Sequence, residues 1–215
     1  MELLRTANAG AALKLDGVTI LLDGVCREVK PYPVTPDYIR DALLETLPDI
    51  VAFTHAHKDH YDPAFTAEYQ RRTGGVILGP KDLPRCEASS EPLRIKDVTV
   101  TPIPSRHIGA AGKDVAHMSF IIRGSRCVWF LGDSSPFVWK DREDLPKPDV
   151  LIVPYAYATT RAGWALTQKL VPDTVVLLHL PEREADTLGL WPAVEETTRG
   201  VENLIIPQMG ERIVL

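Results

Sequence analysis

The chain has 215 residues, 45% apolar and 25% charged, the composition of an ordinary globular protein, which excludes fibrous, disordered and disulfide-scaffold classes. A formal net charge of −5 with no long run of like charges argues against a nucleic-acid partner, and no stretch of about 18 apolar residues exists to cross a membrane. The length of 215 residues suits a single domain over residues 1–215, and three scattered cysteines with an N-terminus lacking a signal-peptide pattern point to a reducing cytoplasm.

In chain order, Asp16-Gly17 within residues 13–24 predicts two strands around a tight turn. Apolar spacing at Ile39, Leu43, Leu44 and Leu47 predicts a helix over 37–47, with Asp37 capping it after Pro36. A buried strand follows over 49–55. The helix over 63–73 has Asp62 as N-cap and Pro63 in its first position. A short strand lies within 74–79. Residues 93–105, 117–124, 126–133 and 149–155 read as four more strands, with Cys127 in an apolar core run. A helix over 161–171 carries Trp164, which is expected in the core. A strand over 173–180, a helix over 191–200 and two closing strands complete the chain. Strands in meanders, then alternating with helices, suit an α/β arrangement of two sheets with a helix layer outside each.

The segment THAHKDHYD, residues 54–62, carries three of the six histidines. It lies between a strand and a helix, where α/β sheets usually bind ligands. In extended chain His55 and His57 share a face and can meet at one point, whereas Asp59 and His60 diverge from them. Two neighbouring metal ions use all four side chains. Each ion needs further ligands, and other strand ends offer them. Asp133 ends the apolar run CVWFLGD, where a helix N-cap is the plainer reading. His179 interrupts TVVLLHLP, where a satisfied core histidine is the plainer reading. His107 follows the strand before a Gly-containing loop and is preferred to His117, which opens the next strand. His55, His57 and His107 would then hold one ion and Asp59, His60 and His179 the other, with Asp133 and a water between them. Nitrogen and carboxylate donors without thiolate suit zinc, and manganese or iron also fit.

With HAHKDH at 55–60, His107, GDSS around Asp133 and LHLP around His179 in that order, the sequence resembles the metallo-β-lactamase fold superfamily. HAHKDHYDP is most similar to the branch of small bacterial metal-dependent hydrolases that includes ascorbate-6-phosphate lactonase-like proteins. The resemblance spans roughly residues 12–215 and implies an αββα four-layer sandwich with the metals at one edge. LLDG at 21–24 resembles an early family strand ending in aspartate, which makes Asp23 a supporting group. Ser134-Ser135 stands where the family often has threonine, and the loop around His107 departs from the commoner pattern.

The expected activity is metal-dependent hydrolysis of a lactone, ester or phosphodiester in a small molecule, with two divalent ions, most simply Zn2+, activating a bridging water. Asp59 would orient that nucleophile and pass its proton. Asp23, Thr54 and Asp62 are candidates to orient the imidazoles. Tyr155, Tyr157 and Arg161 are candidates to line the cleft, and Arg106 and Lys113 to receive an anionic group. A di-iron redox protein and a non-catalytic metal-binding or sensing protein of the same fold are the alternatives. A homo-oligomer is compatible with the sequence, which marks no interface.

Overall fold

Neighbouring residues in the buried strands serve different cores. Ile20 and Leu22 belong to one and Leu21 to another; Val128 and Phe130 belong to the first and Trp129 to a third. Both faces of these strands are covered, so their sequences run apolar without the alternation of a half-exposed strand.

The computed structural model describes residues 1–87, 91–109, 112 and 114–215. The first sheet contains β1 (Glu2–Arg5), β2 (Ala11–Leu15), β3 (Val18–Leu22), β4 (Ile50–Ala52), β5 (Ile77–Leu78) and β13 (Arg212–Val214), in the order β13-β1-β2-β3-β4-β5. The second contains β6 (Leu93–Ile95), β7 (Val98–Arg106), β8 (Ala116–Arg123), β9 (Cys127–Phe130), β10 (Val150–Pro154), β11 (Thr174–Leu178) and β12 (Leu204–Ile205), in the order β12-β11-β10-β9-β8-β7-β6. The sheets face each other across the largest core, which joins Leu13, Ile20 and Ile50 to Val100, Phe120 and Ile152. Helices α1 (Asp37–Thr46) and α2 (Pro63–Thr73) cover the first sheet through Leu43, Phe65 and Tyr69. Helices α3 (Ala156–Thr159), α4 (Arg161–Leu170) and α5 (Leu190–Thr197) cover the second through Tyr157, Leu166 and Val194. The result is the expected αββα sandwich. No helix of the described residues is long and apolar enough to cross a membrane.

The hairpin at Asp16-Gly17 forms with φ of 49° and 72°, the left-handed pair that such a turn needs. Asp62 caps α2 by accepting from Ala64 N and Phe65 N, with Pro63 in the first position. Four expectations change. Residues 93–105 form two antiparallel strands, because Lys96 adopts φ 51° and reverses the chain at a site without glycine. Pro36, not Asp37, is the N-cap of α1, and Asp37 sits in its first turn. β1 and the short α3 carry too few periodic residues to announce themselves. Trp164 is half-buried rather than a core residue. Cys127 is also half-buried, packed against the core beneath α4.

Candidate metal centre

β4 stops at Ala52, and the chain runs extended to His55 before it turns. His60 N and Tyr61 N both donate to the carbonyl of His57 at 3.0 Å, which folds His60 back beside His55. Their ring centroids are 4.0 Å apart. From the second sheet, the ends of β7 and β9 form a short ribbon: Ile108 N donates to Asp133 O and Ser135 N to Arg106 O, each at 2.7 Å. This ribbon delivers His107 and Asp133. His179 follows β11 with φ 64°, a strained conformation for a non-glycine residue, held by its N–H on Asn8 O at 3.0 Å.

All seven expected residues converge. His55, His57 and His107 bring ligand atoms within 4.8 Å of one another, and so do Asp59, His60 and His179. Asp133 Oδ2 lies 3.4 Å from His60 Nε2, 3.5 Å from His107 Nε2 and 3.4 Å from His179 Nε2, so it touches both groups. His117 belongs to neither group among the described residues; its ring lies 5.2 Å from that of His55. A third grouping of Asp23, His55 and His60 also meets the distance condition. There, however, Asp23 Oδ2 is committed to His60 Nδ1 at 2.8 Å and to Thr54 Oγ1 at 2.6 Å.

The donor pattern fits cations. Nε2 of His55, His60, His107 and His179 is buried without a hydrogen-bond partner, an arrangement that proteins otherwise avoid. The Nδ1 atoms of these rings are engaged: His55 with Thr54 Oγ1 at 2.8 Å, His60 with Asp23, and His107 with Ile108 O at 2.6 Å. This is the division of labour of metal-bound imidazoles, one nitrogen oriented by the protein and the other free to ligate. His117 is likewise tied through Nδ1, to Ser105 Oγ at 2.7 Å, with Nε2 unpaired.

Burial would raise the Asp133 carboxyl, but the imidazoles of His179 and His60 overcome it and hold the group well below the usual carboxylate range. Burial opposes a charge on His60, yet Asp133 and Asp23 push it up to about 9. His179 is raised well above its ordinary value in the same way, with burial outweighed by Asp133 and Asp59. Burial takes His55 well below its ordinary value and His117 down to about 3. Carboxylates thus hold protons on the imidazoles of His60 and His179, and a divalent ion can replace those protons.

Of the supporting residues expected, Asp23 and Thr54 touch the imidazoles, whereas Asp62 serves only α2. Tyr157 does not line a cleft: it is fully buried, and its hydroxyl donates to Ser134 O at 2.8 Å. The Tyr155 ring stands 5.9 Å from that of His179, and the Tyr32 ring 4.6 Å. Arg106 and Arg161 line one cavity together, and Lys113 lies outside the described residues. Sequence reasoning missed the backing of His179. Arg5, 2% exposed, donates through its guanidinium to Leu180 O at 2.7 Å and Pro207 O at 3.0 Å. Asn8 Nδ2 lies 3.4 Å from His179 Nδ1. The available signal was the two-residue spacing of Arg5 from Leu3, which puts both on the buried face of β1.

A family described as "Beta-lactamase superfamily domain" matches residues 8–179. The chain belongs to the beta-lactamase superfamily. Its αββα sandwich is the metallo-β-lactamase form of that superfamily's fold, which implies divalent ions at the histidine-aspartate cluster. Solved structures agree on the fold. A possible metal-dependent hydrolase from Veillonella parvula DSM 2008 superposes with a TM-score of 0.75 at 18% identity, covering 100% of this chain and 99% of that one. An isothiocyanate hydrolase from Delia radicum gut bacteria gives 0.66 at 18% identity, with 100% and 99% covered. CmlA, a diiron beta-hydroxylase from Streptomyces venezuelae, gives 0.65 at 19% identity, covering 100% of this chain and 53% of that enzyme. No curated protein matches this superfamily member by sequence.

Proposed function

We propose that the chain is a metal-dependent hydrolase of a small molecule, with His55, His57 and His107 holding one divalent ion, Asp59, His60 and His179 a second, and Asp133 serving both. The observation that carries the reading is the set of buried, unpartnered Nε2 atoms around the Asp133 carboxylate. Ions bound there would lower the pKa of water toward neutrality and polarise a carbonyl or phosphoryl oxygen. The protein's own part is positioning. Asp23 and Thr54 fix the rings of His60 and His55, and Ile108 O fixes that of His107. Asp59 Oδ2, 3.3 Å from His179 Nε2, orients the attacking water and takes its proton. The rings of Tyr32 and Tyr155 stand against His179 on one side of the site.

Nitrogen and oxygen donors favour zinc, with manganese and iron the other candidates. The scissile group is a lactone, another ester or a phosphodiester; the resemblance of HAHKDHYDP to lactonase-like hydrolases favours the first. Three free cysteines support a reducing, cytoplasmic setting. The second reading is a di-iron oxidoreductase, favoured by the fold shared with the diiron enzyme CmlA; the chain spans about half of that protein. Elemental analysis of the purified protein decides between the metals. Turnover of a lactone, ester and phosphodiester panel, with and without chelator, decides for hydrolysis. Asp59→Ala is expected to abolish turnover and leave the circular dichroism unchanged; turnover surviving in that variant refutes the assigned role.

A further inference from the structure

Beside the metal centre lies a cavity of about 1060 Å³, at the upper limit for small-molecule sites. Arg106, Lys140, Arg161 and Lys169 are on its wall, and among the described residues no carboxylate side chain lines it. In a chain of net charge −5, this is a local reversal of sign. Two of the cations are partly spoken for. Lys169 Nζ donates to the carbonyls of Lys140 and Arg142 at 3.0 and 3.1 Å, and Lys140 Nζ lies 3.7 Å from the exposed Asp141. Arg106 and Arg161 have no ion-pair partner among the described residues. The remaining wall is apolar, with Leu166 and with Phe137, whose side chain is 57% exposed. An exposed phenylalanine, with Lys140 Nζ 5.8 Å from its ring, in a wall that also carries two arginines without ion pairs suits a ligand with an apolar body and an anionic head.

The cavity is joined to the centre by the ribbon described above. Its residues His107 and Asp133 face the centre, while Arg106, Ile108 and Ser135 line the cavity. We propose that the cavity binds an amphiphilic carboxylate or phosphate, the acid released by the hydrolysis. In ester or lactone hydrolysis, water forms a new bond to the acyl carbon and the acyl–alkoxy bond breaks. The proton passes to the departing alkoxide, and the acid ionises at neutral pH; phosphodiester cleavage leaves a phosphate monoester in the same way. The origin of the anion rests on the hydrolase reading, whereas its binding does not.

The test is calorimetric titration of metal-free and metal-loaded protein with decanoate and decyl phosphate below their micelle concentrations, with decanol and decyltrimethylammonium as controls. Both anions are expected to bind and both controls to bind at least about ten-fold more weakly. Arg106→Glu and Arg161→Glu should each weaken the anions by about ten-fold, the worth of one charge-assisted hydrogen bond. Phe137→Ser, which leaves the charges in place, should weaken decanoate more than hexanoate. Decanol binding as tightly as decanoate overturns the proposal, as does unchanged anion binding in the variant carrying both Arg106→Glu and Arg161→Glu. A loss of binding that coincides with a changed sedimentation coefficient also overturns it, because the cavity then belongs to a contact between two copies. Wild-type protein that takes up metal and turns over but binds no anion refutes this inference alone.

Discussion

Asp23 and His60 pair at 2.8 Å with neither side chain reaching solvent. The Asp23 carboxylate also accepts from the backbone and hydroxyl of Thr54, at 2.7 and 2.6 Å, and Thr54 in turn holds His55. One carboxylate therefore aims an imidazole into each half of the centre. Asp23→Asn keeps the shape and removes the charge. Metal affinity is expected to fall by about 10–100-fold, and stability by about 1–3 kcal/mol. Competition titration with a zinc indicator measures the first and urea unfolding the second. Undiminished affinity would show that Asp23 does not orient the ligands.

Chelation should lower the melting temperature. Ligand present at a hundred times its dissociation constant stabilises a fold by about 2.7 kcal/mol, which for a chain of this size is a shift of about 5–10 °C. Scanning calorimetry before and after chelator, followed by zinc re-addition, checks this. A melt that does not respond to metal would leave the unpartnered imidazole nitrogens without their explanation.

Gly132 has φ 52°, and a Cβ on it would sit 2.5 Å from Thr54 Cγ2. Gly132→Ala is predicted to cost about 1–3 kcal/mol and, by displacing Thr54, to reduce bound metal. Thermal melts with elemental analysis test both effects; a variant as stable and as metal-rich as the parent contradicts the contact.

Asn8 Oδ1 is buried without a partner, while Asn8 Nδ2 stands 3.4 Å from His179 Nδ1. If the amide turns over, Oδ1 accepts from Nδ1–H and leaves Nε2 free to ligate. Asn8→Ala should then weaken metal binding by about ten-fold or more, and Asn8→Asp, which keeps the acceptor, by much less. Equal losses in the two variants would argue for a merely structural asparagine.

Burial pushes the Cys86 thiol from 9.0 up to about 12. A group raised on folding lends its stability below the unfolded value and withdraws it as pH rises through the folded one. The Cys86 contribution is thus intact up to pH 9 and lost between pH 9 and about 12. At pH 8 the native thiol should alkylate at least about a hundred-fold more slowly than in the denatured chain, because the thiolate is the nucleophile. Peptide mapping after iodoacetamide gives the rate at that residue.

The four-layer arrangement and the seven clustered residues were legible because they rest on local signals. Asp16-Gly17 dictates its turn, Asp62-Pro63 starts its helix, and acid or imidazole at the end of an apolar strand is conspicuous. What was not legible depends on neighbours remote in the chain. Lys96 turns the chain without a glycine to announce it. Arg5 is buried among carbonyls contributed by residues near 180 and 207, which no window around residue 5 contains. Tyr157 read as a cleft-lining candidate because the short helix that carries it has too few residues for periodicity. His107 and His117 could not be separated by spacing; the register of β7 against β8, with Ser105 opposite His117, draws His117 away from the two groups.

His55, His57, Asp59 and His60 follow a strand of one sheet, while His107, Asp133 and His179 follow strands of the other. A cation seated among them is a rivet through both plates of the sandwich. Neither sheet can peel away without breaking the coordination, so the binding energy is spread over the whole body instead of stiffening one loop. Amide protons deep in β2 and β10, far from any ligand, should exchange more slowly in the loaded protein than in the stripped one.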